Sequence, residues 1–174
     1  MDRFWFLTWT TYGSWLPGDH RGFVSPVWNA EQHSLETHNE PGTDVQHSVR
    51  RLQRASEQRL RGKPVYLSLQ QAEAVSVQLV ETATIRSWRL LAYAIMRNHV
   101  HVALGVPGDP KPEYLIRDLK AYASRALNHH WSRPESGTWW TESGSKRKIE
   151  AREESIASVV RYIEQQETPW VCWS

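Results

Sequence analysis

Two of the eight histidines in this 174-residue chain, His99 and His101, are separated by a single valine in Met96-Arg97-Asn98-His99-Val100-His101-Val102. Neighbouring side chains of a strand point to opposite faces, so Val100, Val102 and Leu104 turn inward together and both imidazoles project from the other side. Neutral imidazole nitrogens converging on one point can hold a divalent cation such as Mn, Zn or Co. A chain this rich in His holds about 0.4 His-x-His triplets by chance, so a pair of solvated strand residues is the competing reading. The apolar alternation on both sides favours ligation, because it predicts a pair at the middle of a sheet.

A second candidate group lies in Val159-Val160-Arg161-Tyr162-Ile163-Glu164-Gln165-Gln166. Ile156, Val159, Val160 and Ile163 form the apolar stripe of a helix, and Tyr162 lies about 110° from it at ~100° per residue. Gln166, one turn on, falls on the same side as Tyr162. Phenolate, the conjugate base of an acid of pKa about 10, leaves phosphorus more readily than an alkoxide, so a tyrosyl phosphodiester can form and be reversed. The amide oxygen of Gln166 could complete a metal site begun by His99 and His101, leaving positions for phosphate oxygens and water. Against this stand two ordinary readings, a tyrosine bordering a helix interface and a glutamine near a helix end.

Charge placement adds a surface. The whole chain carries 21 Lys and Arg against 19 Asp and Glu, a net +2, whereas residues 111–152 carry nine basic against five acidic residues. Lys146, Arg147 and Lys148 are the densest part and Lys120 belongs to the same set. With Trp139 and Trp140 as stacking platforms, these residues are candidate contacts for a nucleic-acid strand. The alternative is a solvated basic loop beside core tryptophans.

The elements that must position these groups follow from periodicity. Residues 3–12 read as a buried strand and residues 13–22 as a loop punctuated by Gly and Pro that still carries Trp15. Residues 25–42 are polar and His-rich without a period, and residues 44–61 suggest a helix with a thin apolar stripe among arginines. Ser68 and Gln71 make a capping box for a helix reaching about Ser87. Strands at 90–96 and 99–105 are joined by Arg97 and Asn98, where Asn suits the positive φ of a tight turn. A helix over 113–131, a short strand Thr138–Thr141 with a basic loop after it, and a helix from about Glu153 to Gln166 complete the chain. This order predicts an α+β, ferredoxin-like sandwich: a central antiparallel sheet with helices on one face. It is one domain over 1–174 with a polar, basic segment inserted at about 25–64.

Composition removes other classes. At 40% hydrophobic and 23% charged residues the chain is globular in type. No apolar run is long enough for a membrane span, and the opening residues lack a signal-peptide layout. A soluble protein inside the cell is expected. The lone Cys172 excludes an internal disulfide and a cysteine zinc site.

Taken together, FWFLTWTTYGSWLPGD, AYAIMRNHVHV and WWTESGSKRK with VVRYIEQQ resemble the REP-associated tyrosine transposases, relatives of the small single-strand insertion-sequence transposases in the His-hydrophobic-His, single-tyrosine nuclease superfamily. The resemblance spans nearly the whole chain and is weakest over 25–64. It implies that His99 and His101 are metal ligands, Gln166 the third ligand and Tyr162 the nucleophile. It further implies Mg or Mn as cofactor without ATP, cleavage of single-stranded DNA near a foldback hairpin through a 5′-phosphotyrosine link with a free 3′-OH, and rejoining. The partners implied are hairpin or palindromic single-stranded DNA and a second copy of the chain, with the site completed within one subunit or between two. The resemblance also implies a place in the cytoplasm, at the nucleoid. Two other classes remain in play from the residues: a non-catalytic single-strand nucleic-acid-binding α+β domain, and a metal hydrolase with a water nucleophile.

Overall fold

The structure is a computed structural model and describes residues 2–19, 27–29, 34–36 and 50–174. In chain order the elements are β1 (Arg3–Thr10), β2 (Val27–Asn29), β3 (Ser34–Glu36), α1 (Arg50–Gln58), α2 (Leu69–Ile85), β4 (Arg89–Ile95), β5 (His99–Val106), α3 (Pro112–His130), β6 (Ser145–Ile149), α4 (Glu153–Glu164) and β7 (Val171–Trp173). Five strands form one sheet in the order β6-β1-β5-β4-β7, every pairing antiparallel, and β2 pairs with β3 separately. Without β7, the strands β1, β4, β5 and β6 lie in the order fourth, first, third, second. Helix α2 joins the first to the second, and α3 the third to the fourth. That is the β-α-β-β-α-β arrangement of the ferredoxin-like sandwich, as the sequence predicts.

Alternation sorts the sheet's side chains into two layers. Leu7, Trp9, Val100, Val102 and Leu104 are buried with Val75 and Leu79 of α2 and Leu115, Leu119 and Leu127 of α3. Each such side chain contributes roughly 1.5–3 kcal/mol by leaving water. On the other face Phe4, Ala92, Ala94 and Ala103 are buried with Val159 and Ile163 of α4. The expected single helical layer thus describes α2 and α3, while α4 crosses the opposite face, the one that carries the imidazoles. Alanines make that face low enough for a helix to settle on it.

The capping box forms: Ser68 Oγ accepts from Gln71 N–H, and Gln71 Oε1 accepts from Ser68 N–H at 2.9 Å. After the C-cap Arg86, Ser87 takes a φ of 56° and turns the chain into β4.

Several expected elements are corrected. Thr138–Thr141 is not a strand; only Trp140 makes an isolated bridge, to Thr11. The strand is instead β6, in the stretch expected to be a basic loop, where Thr8, Leu7, Phe6, Trp5 and Phe4 of β1 pair with Ser145, Lys146, Arg147, Lys148 and Ile149. Among the described residues it is an edge strand, and four of its five residues are exposed. Gly144 leads into it so close to β1 that a Cβ there would lie 2.7 Å from the Thr8 carbonyl oxygen. β7, unforeseen, follows Pro169. Of the helix expected over 44–61, residues 50–58 form α1 and 44–49 lie outside the described residues; so does most of the irregular stretch 25–42, apart from β2 and β3.

Asn98 in the β4–β5 turn does not take a positive φ. The turn is held from outside instead: Thr11 N–H donates to Asn98 O at 2.8 Å, Leu67 N–H donates to Arg97 O at 2.7 Å, and Ser14 Oγ donates to Asn98 O at 3.1 Å.

Candidate active site

The register of β5 brings the imidazoles to the α4 face. His99 pairs with Thr10 and His101 with Thr8 on one side, and Ala94 pairs with His101 on the other. The two rings lie 4.8 Å apart, centroid to centroid, at 82°. His101 is buried and His99 partly so.

Each ring is held at one nitrogen. Nδ1 of His101 lies 2.8 Å from Thr8 Oγ1, and Nδ1 of His99 lies 2.8 Å from Oδ1 of Asn98. An amide oxygen only accepts, so His99 donates from Nδ1, and in the neutral ring that leaves the lone pair on Nε2. Fixing one imidazole nitrogen in this way orients the other as a ligand. Burial, aided by the neighbouring His99, lowers the His101 pKa from 6.5 to about 3, while its hydrogen bond with the Gln166 side chain opposes the shift. At neutral pH the ring is therefore uncharged, the form that ligates metal.

Helix α4 delivers the other two groups. Ile163 and Val159 point into the sheet, which leaves Tyr162 at the helix flank, 49% exposed. Its ring meets His101 edge-on at 5.7 Å and Phe6 at 5.7 Å, while Phe6 stacks on His101 at 5.4 Å and 21°. Gln166 lies just past the end of α4, where its Nε2 donates to the Tyr162 carbonyl at 2.9 Å, leaving its amide oxygen for His101. His99, His101, Tyr162 and Gln166 thus meet within one chain. Among the described residues no group of three or more His, Cys, Asp or Glu gathers, and the candidate donors here are two imidazoles and one amide. It suits a hard or borderline divalent ion whose charge is to be left uncancelled.

The structure separates the other candidates. Trp139 and Trp140 are 4% and 3% exposed, in the core under α3, with Trp139 Nε1 donating to Asn128 Oδ1 and Trp140 Nε1 to Lys120 O. No base can stack on them there, and the core reading replaces the platform reading. Lys120 directs its ammonium to the carbonyls of Thr141, Glu142 and Ser143, and Lys146 pairs with Glu113 at 3.2 Å. Register places Lys146 and Lys148 beside Leu7 and Trp5, on the α2–α3 side, and Arg147 beside Phe6. The Arg147 guanidinium lies 5.2 Å over the Phe6 ring, so of the three basic residues it is the one on the imidazole face.

Sequence reasoning missed Thr8, Asn98, Phe6 and Trp15, whose ring meets His99 edge-on at 6.0 Å. Thr8 and Phe6 carry a signal in retrospect, since they alternate with the inward Leu7 and Trp9. Trp15 had only its place in a Gly- and Pro-rich loop.

The fold and site together are a ferredoxin-like domain with a pair of sheet imidazoles beneath a helix-borne tyrosine. The model of the family described as transposase IS200 like matches residues 63–166, which hold all four site residues, and the chain belongs to that family. Among solved structures, a REP-associated tyrosine transposase bound to a REP hairpin is similar at 12% identity over 92% of this chain, with a TM-score of 0.48; the chain spans 64% of that one. A candidate transposase from Deinococcus radiodurans R1 is similar at 18% identity over 97% of this chain and 93% of the other, with a TM-score of 0.42. Among curated proteins no match is found. Among the described residues no helix is long and apolar enough to cross a membrane.

Proposed function

We propose that this chain nicks and rejoins single-stranded DNA that carries a foldback hairpin, through a covalent bond to Tyr162, with Mg or Mn held by His99, His101 and Gln166. The observation that carries the reading is the edge contact of Tyr162 with His101 at 5.7 Å, in a ring cluster that also includes His99. Because these groups meet within one chain, the reading has the site completed in cis, and a second copy is not required to bring the phenol to the imidazoles.

A divalent cation held by His99, His101 and Gln166 would supply positive charge that polarises the scissile phosphate. The chain does the rest. Thr8 and Asn98 fix the imidazoles, Phe6 walls the site beside His101, and Arg147 offers a cation to a neighbouring phosphate. The Tyr162 oxygen attacks phosphorus as it gives up its proton, the phosphorus–O3′ bond breaks, and the departing oxygen takes a proton to become a free 3′-OH. The phosphate stays on Tyr162 as a 5′ link. In rejoining, another 3′-OH attacks, the tyrosyl bond breaks and the phenol is restored, so no ATP is consumed.

Incubation with Mn and a labelled hairpin oligonucleotide is expected to leave a protein–DNA adduct that survives denaturation. Tyr162→Phe is expected to remove the adduct and retain binding. Cleavage that persists in Tyr162→Phe would instead assign a water nucleophile, and binding with no cleavage by the intact protein would assign a non-catalytic binding domain.

A further inference from the structure

Two chain segments run from the site to one surface cluster. Arg97 precedes His99 by two residues, no more than about 7 Å of chain, and Trp170 follows Gln166 by four. Both reach the segment Val65–Leu67, in which Tyr66 lies between the buried Val65 and Leu67: Arg97 lies against Tyr66, and Trp170 bonds the Leu67 carbonyl. The Arg97 guanidinium sits 4.9 Å over the Tyr66 ring. Leu67 N–H donates to Arg97 O at 2.7 Å, Trp170 Nε1 donates to Leu67 O at 3.1 Å, and Trp170 N–H donates to Ile95 O at 2.9 Å. Tyr66 and Trp170 are nevertheless 49% and 42% exposed.

Exposing large rings carries a cost in water that a purely structural pair would avoid by burial, as Trp139 and Trp140 do. Here the indole N–H is already satisfied within the protein, so what Trp170 offers outward is ring surface, held in a fixed orientation. An exposed indole and an exposed phenol ring that carries an arginine, tied to one chain segment, are the composition that takes unpaired bases by stacking while the guanidinium meets a phosphate. We infer that Tyr66, Arg97 and Trp170 form a platform for the unpaired bases of the DNA strand next to the scission point. Its occupant is single-stranded DNA because Arg97 and Trp170 stand two and four residues along the chain from the site residues His99 and Gln166. The inference rests on the proposed reading of that site as a single-strand nicking centre and adds the place where the flanking strand is held.

The test compares two strands of equal charge, an oligothymidylate of about 20 nucleotides, longer than one binding site, and an abasic strand of the same length. Binding is measured without metal. Trp170→Ala and Tyr66→Ala are expected to weaken oligothymidylate binding about 5- to 150-fold and to leave binding of the abasic strand unchanged. Tyr66→Ala leaves the Trp170–Leu67 bond intact and so separates stacking from folding. Equal weakening for both strands, no weakening, or an intact protein that binds neither strand overturns the platform. A concentration-dependent dimer lost in Trp170→Ala overturns it in favour of a contact between copies of the chain. Failure of the nicking reading shows separately, as absence of the tyrosyl adduct in the intact protein.

Discussion

Asn98 and His99 are neighbours in the chain and partners in space: Oδ1 of Asn98 lies 2.8 Å from Nδ1 of His99. The main-chain oxygen of the same Asn98 is gripped by Thr11 and Ser14. One turn residue thereby joins the loop after β1 to the orientation of a candidate ligand. Asn98→Ala is expected to lower Mn affinity about 10- to 100-fold with little change in fold, and Asn98→Asp, which keeps the acceptor, is expected to restore it. Titration calorimetry checks both, and unchanged affinity in the alanine variant would show that the bond orients nothing.

The β6 register divides three adjacent basic residues by face. Arg147→Ala is expected to weaken single-strand DNA binding and to make its slope against log salt concentration shallower by about 0.7, the value for one phosphate contact. Lys146→Ala, which removes a residue already paired with Glu113, is expected to leave that slope unchanged. Affinities measured over a salt series separate the two outcomes.

Lys120 supplies the pH dependence. Burial is the main cause lowering its pKa from 10.5 to about 8, with Glu142 opposing and Lys146 adding to the shift. Between those values the unfolded chain holds the proton and the folded chain has lost it, so stability rises with pH across that window. The strain is fully felt below pH 8 and relieved by pH 10.5. After allowance for solvent screening of a partly exposed side chain the rise is about 1–2 kcal/mol. Urea unfolding at pH 7 and pH 10 is expected to show it, less steeply in Lys120→Met.

Gly144→Ala tests how closely β6 must approach β1. An added Cβ would press on the Thr8 carbonyl and on Ile116, at a cost of about 1–3 kcal/mol. A lower melting temperature is expected. Thr8 also holds His101, so the adduct yield of the folded fraction is expected to fall as well.

How much of this was legible in the sequence depends on what each element needed. The imidazole pair, the apolar stripe of α4 and the capping box at Ser68 were readable because period and cap chemistry are local. Strand β6 was hidden because Ser-Lys-Arg-Lys-Ile has no apolar alternation; it is an edge strand that takes its place from pairing with β1. Trp139 and Trp140 have the composition of a strand, yet their indoles are held by Asn128 and by the Lys120 carbonyl, partners that only the fold brings near. The face chosen by α4 was not readable either, since an amphipathic helix has the same stripe whichever side of a sheet it covers. Asn98 looked like a turn former, and its hydrogen bond to His99 depends on side-chain geometry that no spacing rule records.

Ala92, Ala94 and Ala103 lie beneath α4, and Ala94 stands directly across from His101. Such a shallow floor sets the altitude of the helix, and with it how far the phenol must reach downward to the imidazoles. Bulkier side chains there would act as shims, lifting the nucleophile off its target while every reacting group stayed chemically intact.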